Sequence, residues 1–155
     1  MAARGLVSYF QEPLCIFELT STSKRDALAE MVDAICTQHR IKDRDIILEM
    51  LLNRESLGST GIAQGVAFPH GRTLAVRGLS LVFARSSAGI DFDAMDNEPT
   101  HLFFLIIAPP QDKDNLYLQV LGQIVNLIKD DSVRERFLAA KDYGELRQVL
   151  EQAAS

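Results

Sequence analysis

His70 stands between Pro69 and Gly71, a few residues after the stretch GSTGIAQG that begins at Gly58. Imidazole is a good nucleophile near neutral pH, its ordinary pKa being about 6.5. Once phosphorylated it carries a labile P–N bond, suited to passing a phosphoryl group onward rather than storing it. The residues around His70 are those of an anion site. Ser59, Thr60 and the glycine amides are hydrogen-bond donors, and Arg54 and Arg72 add planar guanidinium groups that match phosphate oxygens. Pro69 fixes φ and has no N–H, so it is expected to end a brief strand over 66–68 and to hold His70 in one orientation. Gly71 permits a sharp turn and leaves room beside the imidazole. The same composition also describes a Gly-rich connecting loop with an incidental histidine, and on these residues alone both readings stand.

Other chemistry finds little footing. No Gly-Lys-Ser/Thr closes the glycine stretch, which excludes a Walker-type phosphate loop, and no Gly-x-Ser-x-Gly elbow is present. No cofactor fingerprint is present, so no cofactor is expected. His39 reads as a solvated helix-end residue and His101 as a strand-edge residue. Neither has partners at metal-ligand spacing, so no metal is assigned. Asp91, Asp93 and Asp96 lack EF-hand spacing and read as a solvated turn. Cys15 and Cys36 match no zinc pattern and read as buried small hydrophobes, in keeping with a reduced, cytoplasmic setting.

The elements that must position His70 follow from hydrophobic periodicity. A strand is expected over 14–19, after a short lead-in. The next segment reads as a helix capped by Ser23, with Ala27, Leu28, Met31, Val32 and Ile35 as its buried stripe. A second helix opens near Asp43 or Asp45 and stops before Gly58, placing Arg54 on its last turn beside the glycine stretch. Strands are expected over 79–87 and 101–109, the latter a continuous apolar run that suits a central strand covered on both faces. Three helices close the chain: one over about 114–129, then two opened by capping boxes at Ser132/Glu135 and Asp142/Glu145. Strands between helices predict an α/β fold, with a mixed central sheet flanked by helices on both faces. The chain of 155 residues reads as a single domain, 1–155. Its net charge of −5 disfavours nucleic acid as a partner. The first ten residues lack a signal-peptide core, and the apolar run from Leu102 is too short for membrane insertion.

The segment NRESLGSTGIAQGVAFPHGR resembles the active-site segment of enzyme IIA domains of the fructose/mannitol type, from the bacterial phosphoenolpyruvate-dependent phosphotransferase system. The nearest branch is the nitrogen-type regulatory enzyme IIA. The match runs from Arg54 to Gly71, and SKRDALAEMV, IDFDAMDNEPTHLFFLIIAPP and YLQVLGQIVNLI extend it over nearly the whole chain. The resemblance implies the enzyme IIA fold and a phosphohistidine intermediate in phosphoryl transfer. It implies that His70 accepts the phosphoryl group through Nε2 from a histidine phosphocarrier protein. Arg54 falls on the family's phosphate-facing arginine, and Ser59 and Thr60 on polar residues beside the active histidine. Gln64 and Arg72 vary in the family and are taken as rim residues. Tyr117 departs from the pattern, because many members place a second histidine there. A tyrosine can donate a hydrogen bond to phosphate but supplies no cation.

Three outputs follow. A regulatory, nitrogen-type role, in which the state of His70 alters a docking surface, leads. A sugar-transport role, handing phosphate to a separate enzyme IIB, is the alternative, since no attached enzyme IIB-like segment is read in this chain. The third is a binding module that keeps the fold without transferring phosphate, to which Tyr117 points and from which Arg54 and His70 point away.

Overall fold

The computed structural model describes residues 2–112 and 114–153. In chain order its elements are α1 (Ala2–Val7), β1 (Cys15–Ile16), α2 (Lys24–His39), α3 (Arg44–Ser56), β2 (Val66–Ala67), β3 (His70–Arg72), β4 (Ser80–Ile90), β5 (Thr100–Ala108), α4 (Leu116–Ile128), α5 (Asp131–Ala139) and α6 (Tyr143–Ala153). The strands form one mixed sheet. β1 lies parallel to β4, β4 antiparallel to β5, and β2 and β3 both parallel to β5 on its other side.

β5 explains the layering. Its side chains alternate between two apolar clusters. Leu102, Phe104 and Ile106 pack with residues of α1, α4, α5 and α6, and Phe103, Leu105 and Ile107 pack with α2 and α3. A strand covered on both faces has no solvent side to keep polar, hence the continuous apolar run. α2 buries the five stripe residues expected of it, and the Ser23 hydroxyl accepts from the Asp26 amide at 3.2 Å.

Several local expectations are corrected. The short lead-in contains a helix over residues 2–7. The first strand shrinks to two residues because β4 is its partner over Cys15–Ile16 alone. α5 is capped by Asp130, whose carboxylate accepts from the Ser132 and Val133 amides, so the helix begins before Ser132. Cys15 and Cys36 are half-buried. Burial still pushes the Cys15 thiol up to about 12, so it stays protonated.

Pro69 does not end the strand. Val66 pairs with Leu102 and Ala67 with Phe103, and beyond the proline His70 pairs with Ile106 at the same offset. β2 and β3 are thus one edge strand with a two-residue interruption. Pro69 has no N–H to give β5, yet its carbonyl still accepts from the Ile106 amide at 3.0 Å. The strand loses a hydrogen bond there but keeps its register.

Candidate functional site

His70 opens β3 and lines a cleft of about 550 Å3 together with Met50, Asn53, Arg54, Leu57, Gly71, Arg72 and Tyr117. The C-terminal half of α3 with its cap, the edge strand and the start of α4 supply these residues. His70 Nδ1 lies 2.5 Å from the Phe68 carbonyl oxygen. A carbonyl only accepts, so Nδ1 carries the hydrogen and, in the neutral ring, Nε2 holds the lone pair. The backbone of the edge strand thereby selects the tautomer. Gly71 sits against Met50, and a Cβ there would overlap the Met50 sulfur.

The cleft wall is cationic. Arg54 donates through Nη1 to the Gly58 carbonyl at 2.8 Å, which holds its guanidinium beside the glycine stretch. The guanidinium carbon of Arg72 lies 4.4 Å from the centre of the Tyr117 ring. Arg72 also donates to the Pro109 carbonyl at 3.2 Å and stands 3.8 Å from Asp112. Asp112 accepts from the Tyr117 amide at 2.7 Å, so one carboxylate ties the arginine to the helix that carries the tyrosine. The Tyr117 ring lies 6.0 Å from that of His70. Burial pushes its phenol above the usual value, against the opposing pull of Arg72 and Arg54, which keeps the side chain neutral at physiological pH. The cation at this position comes from Arg72, resting on a neutral ring.

Three of the expected site residues stand elsewhere. The Thr60 hydroxyl and amide both donate to the buried Glu55 carboxylate, the amide at 3.0 Å. The Ser59 hydroxyl donates to the Phe92 carbonyl at 2.6 Å and accepts from the Gly61 amide at 2.9 Å. Gln64 is exposed at φ 65°, its backbone N–H donating to Asp96. Each of these donors has an intramolecular acceptor, and none of the three residues lines the cleft. Thr60 acts one layer behind His70: its carbonyl accepts from the Phe68 amide at 3.1 Å, and the Phe68 carbonyl receives His70 Nδ1.

Glu55 was not singled out from the sequence, although a signal was present. It falls at helical spacing on the buried stripe of Ile47, Leu48 and Leu51, where an ionisable residue needs a partner. Lys24 supplies it, its ammonium 2.9 Å from Glu55 and 4.7 Å from the centre of the Phe92 ring. His101 accompanies Gly65 and Gly89 at the start of β5, with Nδ1 2.8 Å from the Ser86 carbonyl, far along the sheet from His70. Among the described residues no group of three or more acidic, His or Cys side chains is arranged to hold a metal.

Comparison with known proteins decides the family. The model for the "Phosphoenolpyruvate-dependent sugar phosphotransferase system, EIIA 2" family matches residues 8–153. The chain belongs to this family. Relatives of this EIIA domain include sugar-specific components and nitrogen regulatory proteins. A fructose-specific EIIA component of Haloferax volcanii is 36% identical over 137 residues, 88% of each chain. A nitrogen regulatory protein of Bradyrhizobium diazoefficiens is 33% identical over 132 residues, 85% of each. The fructose-specific EIIABC component of Bacillus subtilis is 32% identical, but the chain spans only 21% of its length. The crystal structure of nitrogen regulatory protein IIA-Ntr from Neisseria meningitidis superposes with a TM-score of 0.85 at 28% identity, covering 94% of this chain and 98% of that one. Enzyme IIAMTL of Escherichia coli, in a complex with phosphorylated enzyme IIBMTL, shares the fold at 20% identity, with a TM-score of 0.77 over 92% of this EIIA domain and 97% of that chain. No helix among the described residues is long and apolar enough to cross a membrane.

Proposed function

We propose that His70 is the phosphoryl acceptor and donor of a phosphotransferase relay, taking the group on Nε2 from a cytoplasmic histidine phosphocarrier protein. One observation carries the reading: the Phe68 carbonyl holds the hydrogen on Nδ1, so Nε2 of a ring lining the cationic cleft needs no base. Its lone pair forms the new N–P bond as the donor's N–P bond breaks, and that electron pair returns to the donor imidazole. No proton has to leave Nε2. In-line transfer of this kind depends on positioning and on compensating charge at the phosphoryl oxygens. Arg54 and Arg72 supply that charge. Ser59, Thr60 and Gln64 hold the preceding loop, and Gly71 keeps the strand close to Met50.

The nitrogen-regulatory relatives and the Tyr117 position support a regulatory output, in which a dianionic group on His70 changes the field of a docking surface. The fructose-specific relatives support transfer to a separate enzyme IIB. Incubation with phosphoenolpyruvate, enzyme I and the phosphocarrier tests the relay. Intact-mass spectra are expected to show one added phosphoryl group, labile in acid, with fragmentation placing it on His70. An unmodified protein, or a phosphate on any other residue, would overturn the proposal. Adding a fructose-type enzyme IIB then separates the outputs, since transport requires the label to move on.

Tyr117 gives a second test. Tyr117→Phe keeps the ring on which Arg72 rests and is expected to phosphorylate at the wild-type rate. Tyr117→Leu keeps the apolar volume but removes the ring face, and a cation–π contact of about 1 kcal/mol corresponds to roughly a fivefold slower uptake. Stopped quench-flow measurements compare the two. Equal rates in both variants would remove the proposed role of the ring.

A further inference from the structure

A second cleft, of about 540 Å3, opens where the α2–α3 turn meets the connection between β3 and β4. His39, Arg40, Lys42 and Asp43 line it from the turn, and Val76, Arg77 and Ser80 from the connection and the first residue of β4. It lies at the opposite end of α3 from His70, a helix of thirteen residues and so about 20 Å long.

The cleft combines three features. Its rim is basic: Arg40, Lys42 and Arg77 are exposed against the single carboxylate of Asp43, in a chain whose net charge is −5. None of those three cations has a side-chain hydrogen bond or ion pair among the described residues, whereas the adjacent Arg44 is committed to Asp33 and Asp45. Its floor is polar at one point. Ser80 is 6% exposed and lines the cleft, yet its hydroxyl has no hydrogen-bond partner among the described residues. A buried hydroxyl normally finds a partner, and this one is not sealed into the core. The remaining wall is apolar, formed by Ile41, Ala75, Val76 and Leu79.

We propose that this cleft binds a small organic phosphate, a function separate from the chemistry at His70. The phosphoryl group sits between Arg40, Lys42 and Arg77, which outnumber the single carboxylate of Asp43. The Ser80 hydroxyl donates to a polar atom deeper in the cleft, and the apolar wall receives the carbon skeleton. A concave site in the size range of small-molecule pockets, apolar with a few convergent polar groups, favours a compact ligand over an extended acidic peptide. Guanidinium groups favour phosphate through paired donors. Two ligand sources share this chemistry, sugar phosphates and nucleotides.

Titration of 15N-labelled protein with glucose 6-phosphate, adenosine monophosphate, inorganic phosphate and glucose tests the site. The expected result is saturable shifts confined to residues 39–43 and 75–80 with at least one organic phosphate, and none with glucose. Whichever of the two organic phosphates binds tighter identifies the source. Arg77 is exposed on a connection, so Arg77→Glu is expected to fold normally and to weaken binding by at least about tenfold, or 1.4 kcal/mol. Ser80→Ala is expected to weaken it less, and His70→Ala not at all, which separates this site from the relay. Absence of shifts with every phosphate, or undiminished binding to Arg77→Glu, would overturn the proposal. Equal affinity for inorganic phosphate would overturn its organic part. Tighter binding of a poly-glutamate peptide to the same residues would replace the ligand class.

Discussion

Replacing His70 with alanine is expected to abolish phosphoryl uptake while leaving the protein folded. The side chain is half-buried and contributes one hydrogen bond, to the Phe68 carbonyl. Losing such a bond costs about 1 kcal/mol, a minor part of a domain's stability of roughly 5–15 kcal/mol. Uptake, by contrast, has no substitute nucleophile. Tyr117 is the nearest aromatic group, and burial holds its phenol neutral. His70→Gln sharpens the comparison, because its amide can still donate to Phe68 but offers no nucleophilic nitrogen. Both variants are expected to show no phosphoryl adduct by intact mass, with urea unfolding midpoints close to wild type. An adduct in either variant would sink the assignment of His70. A collapse of stability in both would mean that the imidazole is chiefly structural.

Glu55→Ala is expected to produce the largest loss of stability outside the apolar core. Glu55 is 7% exposed, and its carboxylate accepts from Lys24, the Thr60 amide and the Thr60 hydroxyl. Removing it leaves the largely buried Lys24 ammonium with only the exposed Asp93 carboxylate, 3.6 Å away, and leaves the Thr60 amide without its acceptor. Breaking a buried pair from one side costs about 3–5 kcal/mol, which for a chain of this size lowers Tm by on the order of 10 °C. Glu55→Gln keeps an acceptor for Thr60 and is expected to lose clearly less. Since the Thr60 carbonyl receives the Phe68 amide, and Phe68 in turn orients His70, the alanine variant is also expected to phosphorylate more slowly at temperatures where it is folded. Calorimetry and quench-flow separate the two effects. A destabilisation below about 1 kcal/mol, the level of an ordinary hydrogen bond, would show that the Lys24–Glu55 pair contributes little.

Much of the architecture is legible from periodicity alone. The stripe of α2 and the apolar run of β5 are one-dimensional patterns with one structural solution each. The edge strand is harder. Whether Pro69 ends a strand or interrupts it depends on the register of β5 on the far side of the break, which no local rule encodes. The site divides in the same way. Donor types near His70 are visible in the sequence, but the acceptors that claim them are not. Ser59 and Thr60 look available until Phe92 and Glu55, distant or helical in sequence, are brought against them. Arg72 looks peripheral until Tyr117 is beneath it. Short polar side chains readily satisfy themselves locally, so a Ser-Thr pair in a glycine loop reveals less about a ligand than an arginine without a partner.

The interrupted strand also bears on self-association. β2 and β3 form an outer margin of the sheet, where unpaired backbone groups invite a second chain to add a strand. Here the part of the margin that precedes Pro69 is covered from within. Val66 and Phe68 bond to the folded-back segment at Ile62 and Thr60, and the Phe68 carbonyl is taken by the imidazole of His70. In the proposed relay, phosphorylation at Nε2 would leave Nδ1–H in place, so this hydrogen bond would be kept in the phosphorylated form. The imidazole thereby occupies a backbone acceptor that an added strand would otherwise use.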